Sequence, residues 1–235
     1  DAFNCALCIG AYNFLIRISD YNGKADDDHV RVDMYPSPGL ETMLPWDCAS
    51  GDWKNHPCFQ QDMPFTVRED SMAQPKGGPD LPTAKIFDDG GYVKQGYLVF
   101  NLPNDTLFWF PGFKAPVTAY PLRLQKGLVV GKIARAPSGV WSVTDGIIAG
   151  RAKKDDIIKG FRLLGLCEQD PNYQLMTTFV TNNLDVLGAG NNDPAKPCDS
   201  MSVGLGYTAL QATAGKLEAV QDPTECVIVP RDGGA

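Results

Sequence analysis

Two short segments carry residue types that could do chemistry, and both lie where turns are expected. The first spans 20–28 (DYNGKADDD), in which Asp20, Asn22, Asp26, Asp27 and Asp28 surround Gly23. A hard divalent cation such as calcium takes roughly six to eight oxygens, and acids or amides at alternate positions of a turn bring oxygens to one centre. On that reading Asp20, Asn22, the carbonyl of Lys24, Asp26 or Asp27, and Asp28 are metal ligands, and calcium is the expected cofactor. Three consecutive carboxylates repel one another, and a bound cation would relieve this. Against it, Lys24 stands where a central acid would serve best, and no bidentate Glu closes the loop. The competing reading is a solvated acidic turn that keeps a hairpin soluble.

The second segment spans 45–58 (PWDCASGDWKNHPC). Rigid aromatics in a polar loop offer a glycan or a peptide contact area at small entropic cost. Trp46, Trp53 and His56 are therefore the candidate ligand-binding residues. The alternative is that both tryptophans are packing plugs at one end of the fold.

Patterns that mark particular reactions do not occur. The sequence has no GxSxG, HExxH, Walker loop or GxGxxG. Neither His29 nor His56 has a local partner arrangement that marks it as a base, and 28 acidic residues leave any glycosidase-type carboxylate pair unranked. The balance leans away from an enzyme, with a secreted hydrolase kept as an alternative.

Seven cysteines, at positions 5, 8, 48, 58, 167, 198 and 226, stand in a chain with 24 Gly and 18 Pro. A zinc site wants clustered CxxC or His pairs, and here there are one CxxC (Cys5, Cys8) and two histidines. A thioredoxin-type redox pair would open a helix, whereas the residues after Cys8 read as a strand. Structural disulfides of an exported protein are the better reading. Several pairings stay open: Cys48 with Cys58 around the polar loop, Cys167 with Cys198 around a helix, and Cys226 with Cys5 or Cys8. One cysteine is left over, as a buried thiol or a bridge to another chain.

The elements that must position these residues follow from periodicity. A chain of 235 residues with 43% hydrophobic content can bury one core, so residues 1–235 read as a single β-rich domain. Apolar alternation places strands at 14–18 and 30–34, forming a hairpin around the acidic turn, and at 65–68, 92–102, 106–110, 117–124, 128–134 and 140–144. Residues 107–110 are apolar on both faces, and Trp141 joins the same core. The Pro/Gly-rich stretch 72–82 is a loop.

The period then changes to that of helices. Ile157, Ile158, Phe161 and Leu164 share one face over 154–166, with Asp155 and Asp156 in the first turn. Asp170 as cap and Pro171 at the first position start a second helix, with Leu175, Met176, Phe179, Val180 and Leu187 as its stripe and Gly188 past its end. Alternation returns over 202–213, where Gly204 and Gly206 leave one face of a strand bare. The fold expected is mainly β, a sandwich or jelly roll, with a two-helix insertion near 154–188 inside residues 152–200.

The net charge of −7 with scattered basic residues excludes nucleic acid as a partner, and no apolar run approaches the roughly 20 residues of a transmembrane helix. Asp at position 1 is read as a sign of a removed targeting segment or a trimmed chain.

Four runs, 127–133 (GLVVGKI), 141–151 (WSVTDGIIAGR), 154–157 (KDDI) and 197–204 (PCDSMSVG), resemble predicted secreted lipoproteins abundant in myxobacteria. The similarity covers roughly residues 120–215. It implies export and a Cys167–Cys198 pairing, and it brings no catalytic residue with it. The expectation is an exported, cell-surface or periplasmic protein that binds a glycan or peptide or is stabilised by calcium. The alternative partner is a copy of itself in an extracellular assembly.

Overall fold

Alternating apolar and polar residues build most of this chain into strands. The computed structural model describes residues 2–73, 81–111, 119–190, 193–220 and 224–226. In chain order these form α1 (Ala2–Cys8), β1 (Ala11–Ser19), β2 (Asp27–Gly39), a 3-10 turn (Asp52–Asn55), β3 (Pro64–Arg68), a second 3-10 turn (Glu69–Ser71), β4 (Ile86–Lys94), β5 (Tyr97–Asn101), β6 (Thr106–Pro111), β7 (Ala119–Arg135), β8 (Trp141–Lys153), α2 (Lys154–Leu163), α3 (Pro171–Asn182), β9 (Ser200–Leu210) and β10 (Thr213–Glu218).

The protein is mainly β. One antiparallel sheet runs β1-β2-β4-β5-β7-β8-β9, and β6 also pairs with β7. β7 organises it: its first half pairs with β6, from Thr106↔Leu124 to Pro111↔Ala119, and its second half pairs with β5, from Tyr97↔Lys132 to Asn101↔Leu128. The sheet curls until β1 meets β6, where the rings of Phe14 and Phe108 lie 4.8 Å apart. Inside the curl sits the main core, which includes Val32, Met34, Phe100, Phe108, Leu124 and Val129. On the opposite face of β1 and β2, Tyr35 packs with Val67, Met72 and Ala84, and the parallel pair β3–β10 contributes Val67 and Leu217 there.

The opening hairpin forms with Ile16 opposite Met34 and Arg17 opposite Asp33. Several strand boundaries differ from the periodicity reading: the strand expected at 140–144 runs on to Lys153, and that expected at 202–213 stops at Leu210, with β10 starting at Thr213. Residues 92–102 are two strands joined at Gln95 (φ 51) and Gly96 (φ 80), a two-residue turn with both central residues left-handed. Conversely, 119–135 is one strand of 17 residues carrying a bulge between Gln125 and Leu128. Gly127 is required at that bulge, because a Cβ there would lie 2.7 Å from Leu102 Cδ1. Residues 74–80, 117 and 118 lie outside the described residues.

Both expected helices form. α2 buries Ile157, Gly160 and Phe161, and Gly160 lets the helix approach the Tyr120 ring, 2.6 Å from where a Cβ would sit. α3 starts as read, with the Asp170 carboxylate accepting from the Asn172 amide 2.8 Å away. It ends at Asn182, five residues before Leu187, because Asn183 Nδ2 donates to the Phe179 carbonyl at 2.7 Å and closes the last turn. Its inward face is Tyr173, Met176 and Val180, while Leu175 and Phe179 are exposed. Residues 2–8 form a helix that the periodicity reading did not include. Trp141 is half-buried at the sheet end, edge-on to Tyr21 at 5.8 Å, outside the main core cluster.

Candidate functional site

Helix α1 decides the geometry of the 46–58 loop. Cys5 and Cys8 are three residues apart, so the helix presents both sulfurs on one side. They bond to Cys48 and Cys58 respectively, with Cα–Cα separations of 5.6 and 4.6 Å. The loop is thus bridged to the helix at two points and is not closed on itself by a Cys48–Cys58 bond. The same bonds leave neither Cys5 nor Cys8 to receive Cys226. Cys167, Cys198 and Cys226 are thiols. The Cys167–Cys198 bridge does not form, since Cys167 is buried at the end of α2 while Cys198 is exposed ahead of β9.

Backbone bonds reinforce the attachment. Leu44 N–H donates to the Ile9 carbonyl at 3.1 Å, and Phe59 N–H donates to the Cys8 carbonyl, also at 3.1 Å. Between these anchors the loop turns on itself. Asp47 accepts from the amides of Ala49 (2.9 Å) and Ser50 (3.2 Å). The Ala49 amide, with help from Ser50, holds the Asp47 carboxyl below the usual carboxylate range. Gly51, at φ 77, then reverses the chain into the 3-10 turn that carries Asp52, Trp53 and Lys54.

The three candidate binding residues come together. The Trp46 and His56 rings stack 4.0 Å apart at 9°, and His56 Nε2 lies 3.1 Å from Asp52 Oδ2. Trp46 Nε1 donates to the Pro57 carbonyl at 3.2 Å. Trp46 and Trp53 both pack against the small core of Cys5, Ala6, Ile9 and Ala11, so each is half plug and half surface. The Lys54 ammonium sits 5.8 Å from the Trp53 ring centroid. The outward surface is therefore an imidazole backed by an indole, flanked by a carboxylate and an ammonium. Beside the Asp52–His56 pair, both loop cysteines are disulfides and the Ser50 hydroxyl is engaged with Asp47 and Asp52.

Of the candidate metal ligands in 20–28, Asn22, Lys24, Asp26 and Asp27 are engaged with the chain, while Asp28 is exposed. Asn22 Oδ1 accepts from the Lys24 amide at 2.8 Å, and the Lys24 carbonyl accepts from the Tyr21 hydroxyl at 2.6 Å. Asp26 meets Lys94 Nζ at 3.0 Å and the Gln95 amide at 3.2 Å, and these lower its pKa, Lys94 first. Asp27 caps the Asn22 and His29 amides. Asp20 sits at φ 62, the left-handed position that ends β1. Among the described residues no group of three or more His, Cys, Asp or Glu side chains is arranged to hold a metal ion.

The sequence reading did not include a cleft of about 330 Å³ behind the Trp loop, lined among others by Tyr12, Leu40, Met43, Thr66 and Glu218. Tyr12 packs on the same small core as Trp46 and Trp53, so the cleft and the loop share a wall. Burial raises the Tyr12 pKa, with Arg68 opposing and Glu218 adding. Residues 12 and 218 are brought together only by the return of β10, which no local pattern signals. No helix among the described residues is long and apolar enough to cross a membrane. Comparison with known families, with curated proteins and with solved structures finds no match to this chain.

Proposed function

We propose that this chain is an exported, non-catalytic binding protein that presents its 46–58 loop to a glycan. The observation that carries the reading is the double attachment of that loop to α1 through Cys5–Cys48 and Cys8–Cys58. A surface loop so held has lost much of its conformational freedom before it meets a ligand, which lowers the entropic cost of binding. The His56–Trp46 stack and Trp53 offer ring faces for a sugar, and Asp52 and Lys54 offer an acceptor and donors for its hydroxyls. The curled sheet and the β3–β10 pair act as a sandwich-like scaffold behind it. The resemblance of residues 120–215 to secreted lipoproteins points the same way on export.

Glycan-array screening followed by titration calorimetry tests this. His56→Ala and Trp53→Ala together are expected to weaken binding at least about tenfold, roughly 1.4 kcal/mol, with an unchanged circular dichroism spectrum. Trp46 is left in place because, besides packing on α1 as Trp53 does, its indole N–H holds the Pro57 carbonyl. A glycan whose affinity survives the double variant removes the reading.

A second reading has its own observation. β9 ends the sheet; Val186 bridges Ser200 and Asp185 holds the Ser202 amide at its start, and beyond these no strand among the described residues pairs along its outer edge. Its glycines leave the adjoining face flat: a Cβ at Gly204 would meet nothing within 4 Å, and neighbouring Ile147 and Leu210 are 52% and 62% exposed. An open, flat edge of this kind pairs readily with a copy of itself. Sedimentation analysis is expected to show concentration-dependent dimers that Gly206→Lys weakens; a strictly monomeric wild type removes this reading.

A further inference from the structure

We propose that Cys167 and Cys226 are a modification site, the two halves of a third disulfide that clasps residues 224–226 onto the end of α2. The geometry is assembled by three independent contacts. Cys226 N–H donates to the Arg162 carbonyl at 2.8 Å, at the last turn of α2. The Glu225 carboxylate meets Arg162 Nε at 3.3 Å and Lys159 Nζ at 3.9 Å, so the preceding residue grips the same helix. The Cys226 side chain lies beside that of Cys167, whose thiol donates to the Gly165 carbonyl at 3.7 Å, and Cys167 is only 4% exposed. Neighbouring thiols reach the S–S distance of about 2.05 Å by side-chain rotation when their Cα atoms already stand within bridging range.

The backbone is consistent with a tethered position. Cys226 takes φ 59, a left-handed conformation that a non-glycine side chain keeps where surrounding contacts hold it. Cys198 belongs elsewhere, exposed in the segment that leads into β9, so it does not compete for Cys167. The odd number of cysteines in the sequence then has one owner: Cys198 is the remaining thiol.

The chemistry requires a disulfide donor, either a small disulfide such as oxidised glutathione or a disulfide-bearing oxidoreductase. Cys226 is the more accessible of the two cysteines, with the Arg162 guanidinium close by. Its thiolate attacks one donor sulfur, expelling the other as a thiolate and leaving a mixed disulfide. Cys167 releases its proton and attacks the Cys226 sulfur, forming Cys167–Cys226 and expelling the second donor thiolate. Two electrons pass from the chain to the donor, and the two protons end on the donor's thiols. The neighbouring Cys226 sulfur, and then burial, push the Cys167 thiol up to about 11, so Cys226 and not Cys167 opens the exchange.

The test uses the full chain, equilibrated with oxidised glutathione, denatured in the presence of an alkylating agent and mapped by mass spectrometry. The expected result is a linked peptide pair joining Cys167 to Cys226, with Cys198 as the one alkylated cysteine. Alkylation of both Cys167 and Cys226, or a link from Cys198 to either, overturns the proposal. Thermal midpoints give a second readout. Cys167→Ser, Cys226→Ser and the double variant are expected to lose the same number of degrees, because one bond is removed in each. Losses that add in the double variant overturn it.

Discussion

At the scale of single residues, the strongest electrostatic statement concerns Asp33, which is fully buried on β2 between Arg17 (2.9 Å) and Arg31 (3.0 Å) and accepts from the Ala84 amide at 3.1 Å. Burial alone would raise its pKa, but Arg31, Arg17 and the Ala84 amide together hold it below the ordinary value. A carboxyl lowered in the folded state contributes stability that is complete above its unfolded pKa, about 3.9, and is lost as pH falls through the folded value. Urea unfolding followed from neutral pH down is therefore expected to show a stability loss below about pH 4 that is shallower in Asp33→Asn. Asp33→Ala leaves two arginines without their partner and is expected to cost about 3–5 kcal/mol at neutral pH. The lower end applies, because the arginine side chains are 34% and 25% exposed. Nothing in the sequence singled out Asp33, since its importance depends on a strand partner and on residues 81–84 folding over it. The acidic turn was visible, but its geometry was not. Calcium there would have to displace Lys94 from Asp26 and the Tyr21 hydroxyl from the Lys24 carbonyl, so any site is expected to be weak, in the range of about 10⁻⁴–10⁻³ M. A thermal midpoint equal in several millimolar calcium and in chelator removes calcium from the account.

Among the elements, glycines in paired strands separate packing from propensity. On β8, a Cβ at Gly146 would lie 2.6 Å from two carbons of the Tyr207 ring, whereas at Gly204 on the adjacent β9 it would meet nothing within 4 Å. Gly146→Ala is expected to cost about 1–3 kcal/mol through overpacking, and Gly204→Ala to be neutral or to stabilise by about 0.4–1 kcal/mol, both by denaturant unfolding. The bareness of the Gly204 face was readable from alternation; the crowding at Gly146 was not, because Tyr207 reaches it from another strand. Helix α3 shows the same division. Its start was legible in Asp170 and Pro171, a local signal, but which apolar residues face inward was not. Leu175 and Phe179 fit the stripe on paper yet are 67% and 54% exposed, while Tyr173 is buried. The staples are a prediction at this scale too: Cys5→Ser with Cys48→Ser is expected to lower stability by about 2–4 kcal/mol and to weaken ligand binding by loosening the loop.

For the whole molecule, function turns on what the curl of the sheet leaves outside it. The Trp loop and its cleft lie where α1, the end of β2 and β10 converge, and β9 lies at the opposite end of the strand order with its edge open beyond Ser202. If the binding reading holds, glycan affinity is expected to be the same for monomer and dimer, because the two surfaces are at different ends of the sheet order; gel filtration with and without glycan checks this. The cysteine count, the charge, the strand periodicity, the helix caps and the aromatic loop were determined by the sequence alone, because each rests on local composition or on residues within one turn or strand. Tertiary structure decided the rest. It paired Cys5 with Cys48 and Cys8 with Cys58, because residues 2–8 wind into a helix that faces both sulfurs to one loop. It split 92–102 at a turn and fused 119–135 across a bulge, because partner strands and Leu102 set what the backbone could do there. It also brought Cys226 beside Cys167, an approach across most of the C-terminal quarter of the chain that spacing has no means to encode.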